Sequence, residues 1–174
     1  DLDIDKALSF IDSEYLSNYD EKHIEEEIKE QEKYDSMKEF THSYSISEED
    51  DEKEKVFLSL NYVTGKTTDE EVYTDLSLLE FILLGMNSSP LKKALLDSGI
   101  CKDVFGSFDS GILQPIFSII IKGSEEKYKE KFKEVIETTL RDLVKNGIDK
   151  KLIEGCINAF EFRLREADTV TYSL

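Results

Sequence analysis

The residues best suited to chemistry in this 174-residue chain are His23, Glu26 and Glu27, in the run HIEEE. The run is close to the inverted zinc motif H-x-x-E-H, in which two imidazoles one helical turn apart hold zinc and the Glu activates a water. Glu27 stands where the second His is required. The flanking segment is highly charged, and such a linker cannot hold ligands rigidly. The sequence therefore predicts no metal site here.

Three other runs resemble catalytic or phosphate-binding motifs only in part. His42 lies on the apolar face of a predicted strand with no Cys or second His nearby, which favours a structural histidine. Ser110 in FDSG is not a nucleophile elbow, because Phe108 replaces the first Gly of G-x-S-x-G, and a tight hairpin between the strands at 101–109 and 112–122 explains the DSG run. The Gly65–Thr67 run resembles the end of a phosphate-binding loop, but Leu60 stands where the first Gly is needed. We predict no catalytic and no metal-binding residue in these 174 residues, and the sequence leaves the substrate-binding residues unidentified.

The charge balance narrows the classes of partner. The net charge is −17, so nucleic acid is a poor partner because its phosphates would be repelled. An acidic surface is compatible with basic peptides, and it is equally explained by solubility. The longest apolar run, Ile116–Ile121, is too short to span a bilayer. We therefore expect neither a nucleic-acid nor a membrane partner.

The two cysteines indicate the compartment. Cys101 and Cys156 do not make a disulfide framework, which indicates a reducing environment. We expect the cytoplasm, with an organelle matrix as the alternative. The chain opens at Asp1 without Met, which predicts a fragment or a processed product.

The spacing of apolar residues predicts the elements in the first third of the chain. Apolar residues at helical spacing predict an amphipathic helix over about residues 3–18, namely Ile4, Leu8, Ile11 and Tyr15. Residues 20–35 are mainly charged and predict a linker. Period-two patterns predict strands at 38–46 and 55–63, joined by the acidic loop 47–54.

Residues typical of helix ends help to predict the elements in the rest of the chain. Thr68 and Glu71 form a capping-box pattern for a helix over 69–84 that ends at Gly85. Ser89 is the predicted N-cap of a short helix that starts with Pro90 and stops at Gly99. Strands follow at 101–109 and 112–122, with Pro115 near a strand start or at an edge. The last two helices are predicted at 126–145 and 150–166, the second capped by Asp149.

These elements predict an α+β fold with a mainly antiparallel sheet and helices packed on one face. The predicted sheet holds all four strands, and the predicted cover holds the helices at 69–84, 126–145 and 150–166. Each helix is expected to bury its apolar stripe. The expected buried residues are Val72, Leu76, Leu79, Leu83, Leu91, Ala94, Leu95, Tyr128, Phe132, Val135, Ile136, Leu140, Leu143, Val144, Leu152, Ile153, Cys156, Ile157, Phe160 and Leu164.

At this point the pattern resembles a known family. The run LLGMNSSPLKKALLDSGICKDV, followed by ILQPIFSIIIKG and by the helix over 149–166, is similar to the presequence-protease branch of the pitrilysin (insulinase) zinc metallopeptidases. The resemblance covers about residues 1–170. It rests on structural runs and carries no site residue onto this chain.

The resemblance implies a place in a longer protein. Members of the family have two halves, each made of two related α/β domains, which close around a chamber. Zinc is held in the first domain by H-x-x-E-H and a later Glu. Residues 1–19 would be a helix from the end of that domain, 20–35 a charged linker, and 36–174 the non-catalytic domain of one half. The zinc of the parent protein would then bind upstream of Asp1.

Two main hypotheses about function remain open. In the first, the chain is a non-catalytic, chamber-wall domain of a zinc metalloendopeptidase that degrades short unfolded peptides, and it contacts those peptides and the other domains. In the second, the parent is a catalytically dead relative that serves as a structural or binding subunit. An intact H-x-x-E-H upstream discriminates between the two. A third reading, an unrelated acidic peptide-binding module, requires a different sheet topology.

Overall fold

The structure is a computed structural model that describes residues 3–22 and 28–170. Within these residues, five α-helices and three strands follow in the order α1 (Ile4–Glu14), β1 (Val56–Val63), α2 (Glu70–Leu84), α3 (Pro90–Asp97), β2 (Asp103–Asp109), β3 (Ile116–Ser124), α4 (Lys129–Asn146) and α5 (Lys150–Val170). Short 3-10 turns at Leu16–Asn18 and Glu126–Tyr128 follow α1 and precede α4.

The sheet is antiparallel, with β3 in the centre in the order β1-β3-β2. β1 pairs with β3 from Val63 opposite Ile116 to Val56 opposite Ser124, with an irregularity between Val56 and Leu58. β2 pairs with the other edge of β3. The prediction that strand 112–122 joins the sheet of strand 55–63 is therefore confirmed. Pro115 precedes β3 directly, and its carbonyl accepts from Thr64 N at 2.9 Å.

One face of the sheet packs against helices. α2 contacts β2, α4 contacts β1, and α3 lies between α2 and α4. The main core joins the inward residues of all three strands to α2, α3 and α4, and its fully covered centre is Leu91, Leu95, Val104, Ile119, Ile121 and Ile136. The α+β class with helices on one face is confirmed.

α5 differs from the prediction because its partner is α2 and not the sheet. Phe81 and Ile82 of α2 and Cys156 of α5 form a second cluster, separate from the main core. Only part of the α5 stripe is covered as a result, and Ile157 and Leu164 are exposed.

The predicted strand over 38–46 is wrong. These residues are exposed, form no ladder, and lie in extended chain. Side chains hold the segment in place of backbone pairing: Glu39 binds α4 and Tyr44 contacts the start of β1. The period-two pattern therefore corresponds here to an extended segment. This segment has no hydrogen-bonded partner strand among the described residues.

Helix boundaries follow the expected caps with one shift. Asp69, and not Thr68, caps α2, and its carboxylate accepts from Val72 N at 3.2 Å. Ser89 and Pro90 start α3 as predicted, and Gly99 follows it with φ +69. The Asp149 carboxylate accepts from Lys151 N at 2.7 Å at the start of α5, as predicted.

Several exposed apolar residues correct the predicted burial. α1 is exposed along its whole apolar stripe and contacts mainly the 3-10 turn that follows it. In α2 the apolar run Phe81–Leu84 is buried, whereas Leu79 is exposed. Val144 in α4 is 88% exposed. Helical spacing identified these stripes but not which neighbour covers them.

Candidate functional site

The sheet face opposite the helices is the candidate functional surface, which we call the open face. Because side chains alternate along a strand, the residues between the core positions of each strand point to this side. The open face is formed by Phe57, Ser59, Asn61 and Val63 of β1, Ile116, Ser118, Ile120 and Lys122 of β3, and Asp103, Phe105, Ser107 and Asp109 of β2.

Small polar and aromatic side chains share the open face. Ser118 in the centre is opposite Asn61 on one side and Ser107 on the other, and Asn61 Nδ2 donates to Ser59 Oγ at 2.8 Å. Ile120 is likewise opposite Ser59 and Phe105. The surface therefore combines hydrogen-bonding groups with apolar side chains.

A pair of opposite charges on the open face lies at the end of the sheet where β1 starts. Lys122 is opposite Asp103, and its Nζ lies 5.7 Å from the centre of the Phe57 ring. Such a cation over an aromatic face is attracted by the ring. Tyr44 packs edge-on against the same ring with centroids 5.9 Å apart.

The best-formed cavities in the part of the chain that the structure describes are small. Two cavities measure ≈ 80 Å³ and ≈ 150 Å³, well below the ~300–1,000 Å³ of typical small-molecule sites. The smaller cavity is lined by Ser124, whose Oγ is buried with no hydrogen-bond partner among the described residues. That volume suits about two or three waters and no substrate.

The sequence candidates for chemistry do not come together. His23, Glu26 and Glu27 lie outside the described residues. His42 is exposed on the extended segment, and the prediction that it sits on a strand is wrong. Thr67 Oγ1 donates to the Ser110 carbonyl at 2.8 Å. This hydrogen bond joins the loop that follows β1 to the loop that follows β2.

No group of three His, Cys, Asp or Glu side chains within residues 3–22 and 28–170 could hold a metal ion. The described residues therefore do not fit a zinc ion. No helix in the same part of the chain is long and apolar enough to cross a membrane.

One half-buried carboxylate has an unusual environment. Glu80 of α2 lies over β2, where a side chain at Gly106 would meet it: a Cβ there would fall 2.0 Å from Glu80 Oε1. Burial raises the pKa of Glu80, and the positive charge of Arg163 opposes the rise. Arg163 in turn stacks over the Phe81 ring at 4.4 Å. Glu80 joins helix and strand and faces no candidate substrate surface.

Sequence reasoning did not identify the open face as a site. The signal was present in β1, where Ser59 and Asn61 alternate with Leu58 and Leu60. Such alternation marks one solvated face of an antiparallel sheet. It does not distinguish a solvated face from a binding face.

Comparisons with known proteins place this chain in a family. Residues 1–160 match the model of the peptidase M16 inactive domain. The chain is 46% identical over 170 residues to Protein HypA of Clostridium perfringens, covering 98% of this chain and 18% of that protein. It is 34% identical over 131 residues to presequence protease 1, chloroplastic/mitochondrial, of Arabidopsis thaliana, covering 74% of this chain and 12% of that protein.

The fold also matches a solved structure. The inactive peptidase domain of a protein from Bordetella parapertussis superposes with a TM-score of 0.55 at 15% identity, covering 63% of this chain and 60% of the other. At that identity the likeness concerns the fold. The chain thus spans less than a fifth of the length of the curated relatives described above.

Proposed function

Since the chain belongs to the M16 peptidase family and matches its inactive domain, we propose that it forms a non-catalytic wall of a chamber in a zinc metalloendopeptidase. In this proposal the parent protein hydrolyses short unfolded peptides. The observation that carries the proposal is the open face, a sheet surface that no helix among the described residues covers. The resemblance to the presequence-protease branch, drawn from the runs Leu83–Val104 and Ile112–Gly123, agrees with the relatives found.

The chemistry of the proposed parent lies outside these residues. Zinc bound upstream would supply a Lewis acid and an activated water. Residues of this chain would bind and orient peptide segments through the open face. Ser59, Asn61 and Ser118 offer hydrogen bonds, and Phe57, Phe105 and Ile120 offer apolar contacts. The net charge of −17 favours peptides with basic residues.

The same proposal assigns the domain boundaries. Residues 1–19 belong to the preceding domain, 20–35 form a linker, and 36–174 form the non-catalytic domain. The exposed apolar stripe of α1 supports this assignment, because such a stripe needs a partner that these residues do not supply. The other domains of the parent chain are the partners that would cover it.

We keep the cytoplasm as the proposed compartment and an organelle matrix as the alternative. The relative from Arabidopsis thaliana is described as chloroplastic/mitochondrial, which favours the alternative for its own branch.

The test compares two matched Phe→Ser variants in the full-length parent protein. Phe105→Ser changes the open face, whereas Phe162→Ser changes an exposed ring on α5. We expect Phe105→Ser to raise the KM for an unfolded basic peptide several-fold while the zinc bound per chain stays constant. Phe162→Ser should leave KM unchanged.

Two results would contradict the proposal. An unchanged KM in Phe105→Ser would remove the open face from substrate binding. A parent protein that neither binds zinc nor cleaves peptides would favour the second hypothesis, a structural or binding subunit.

A further inference from the structure

The free edge of β1 is unusual because it carries no charged side chain. β3 occupies one edge of β1, and no described strand pairs with the other. The strand reads VFLSLNYV, rich in β-branched and aromatic residues. Uncharged edge strands of this kind pair readily with strands of other chains, and proteins protect them with charges, prolines or covering segments.

A segment of the chain makes contacts near both ends of β1. Gln31 N donates to Gln114 Oε1 at 2.6 Å, and Glu30 pairs with Lys66, beside the carboxyl end of β1. Tyr44 donates its hydroxyl to the Lys55 carbonyl, directly before the first residue of β1. Residues 30–46 therefore run antiparallel to β1.

The side on which the segment passes follows from two contacts. Glu39 binds α4, which covers the helix side of the sheet, through Lys129 Nζ at 2.6 Å and Lys133 Nζ at 2.9 Å. Tyr44 packs against Phe57 on the open face. Since β3 occupies the other edge of β1, we place this crossing at the free edge of that strand.

We infer that residues 30–46 form an edge guard, which prevents β1 from pairing with β1 of a second copy of this chain. The guard makes no ladder with β1, and each contact named above that holds it involves at least one side chain. Hydrogen bonds from Lys129 and Lys133 lower the pKa of Glu39 to about 2. The Glu39 carboxylate therefore stays ionised well below neutral pH. Its stabilising attraction to the two lysines is lost only as the pH falls from 4.5, the ordinary pKa of a Glu, through about 2.

Release of the guard should expose a self-complementary edge. Two copies of an antiparallel edge strand can pair about a two-fold axis. The net charge of −17 opposes association, so pairing should strengthen as salt screens the repulsion between copies.

The experiment uses matched charge reversals in the 174-residue chain. Glu39→Lys repels both lysines of α4. Glu130→Lys makes the same charge change beside Lys133, 3.2 Å away, but does not touch the guard. Each variant has a net charge of −17 + 2 = −15. Glu39→Lys combined with Tyr44→Ala removes the anchors at both sides of the sheet, and Tyr34→Ala in the same segment is the control for Tyr44→Ala.

Limited proteolysis measures release, and sedimentation velocity at 0.15 and 0.5 M salt measures association. We expect cleavage within 30–46 to quicken at least tenfold in the double variant. Its dimer dissociation constant should fall at least tenfold, while Glu130→Lys and Tyr34→Ala behave like the parent chain. Ser59→Lys places a charge on β1 and should return the double variant to monomer.

Three outcomes would overturn the inference. Unchanged cleavage in the double variant would mean that these contacts do not hold the segment. Quicker cleavage without dimerisation would mean that the guard protects no pairing edge. Equal dimerisation of Glu130→Lys would assign the effect to net charge.

Discussion

Leu95 shows how a short helix depends on one residue. The α3 helix has eight residues, too few to be stable alone, and Leu95 is fully buried in the main core. Its environment contains Leu91, Val104 and Ile136, which are also fully buried. The helix is thus held by what it packs against.

Leu95→Ala should lower the free energy of unfolding by about 2–5 kcal/mol, the range for truncation of a buried Leu. Leu164→Ala is the matched control, because Leu164 is 60% exposed and its loss should cost little. Urea denaturation of both variants measures the difference. Equal losses of unfolding free energy in the two variants would contradict the assigned core.

In the full-length parent protein, Leu95→Ala should leave the zinc content unchanged. A stable Leu95→Ala variant that lost zinc would place this helix at the active site.

Glu80 gives a pH-dependent prediction. Burial raises its pKa, so the folded state binds the proton more tightly than the unfolded state. The ionised carboxylate therefore costs stability at neutral pH, and this cost disappears as the pH falls through the raised pKa towards 4.5. Glu80→Gln should be more stable than the parent chain at pH 7, with a difference that narrows at lower pH.

Thermal unfolding between pH 4 and 8 measures this profile. Glu154→Gln on the exposed side of α5 is the control and should show no such trend. A Glu80→Gln variant that is less stable at pH 7 would mean that the attraction to Arg163 outweighs the burial of the carboxylate.

At the scale of elements, contact between α2 and β2 depends on the absence of a side chain at Gly106. A Cβ there would lie 2.0 Å from Glu80 Oε1 and 2.9 Å from Leu84 Cβ. Glu80 can move because its end is flexible, but Leu84 Cβ is fixed to the helix backbone. The helix can lie this close to the strand only because position 106 is glycine.

Gly106→Ala should destabilise the fold by about 1–3 kcal/mol, the cost typical of overpacking. Gly155→Ala in α5 makes the same chemical change where nothing lies within 4 Å of the added Cβ. It should stabilise by up to about 1 kcal/mol, since glycine is unfavourable inside a helix. Chemical denaturation of the two variants should therefore give shifts of opposite sign.

Elements were largely predictable from the sequence where one residue type fixes the backbone. Pro90, Gly99 and Asp149 marked helix ends correctly, because each satisfies or removes specific backbone groups at a helix end. The strand over 38–46 was predicted wrongly, because alternation does not reveal whether an edge is available for pairing. The open face could not be recognised as a candidate site from the sequence. Whether a sheet face is available for binding depends on which faces the helices leave uncovered.

At the scale of the whole molecule, α1 is structurally separate from the rest. Ile4, Leu8, Ile11 and Tyr15 are all exposed, and the helix makes few contacts beyond its own end. Its apolar stripe contributes no buried area to the core of residues 56–170. The stability of the domain should therefore not depend on it.

Deletion of residues 1–19 should leave the free energy of unfolding within about 0.5 kcal/mol of the parent chain, the range of changes at exposed sites. Urea denaturation followed by far-UV circular dichroism checks this. The deletion should also improve solubility, because it removes an exposed apolar stripe. A large loss of stability would place α1 in the domain and contradict the boundary at 19.

The separate cluster between α2 and α5 makes Cys156 a reporter on local opening. Its thiol is fully covered, whereas Cys101 is partly exposed. Since α5 contacts α2 and not the sheet, it can detach while the three strands stay paired. A thiol reagent should then modify Cys101 quickly and Cys156 at a rate set by this detachment. With Cys101 replaced by Ser, the labelling rate would measure a sub-global unfolding free energy smaller than that of the sheet.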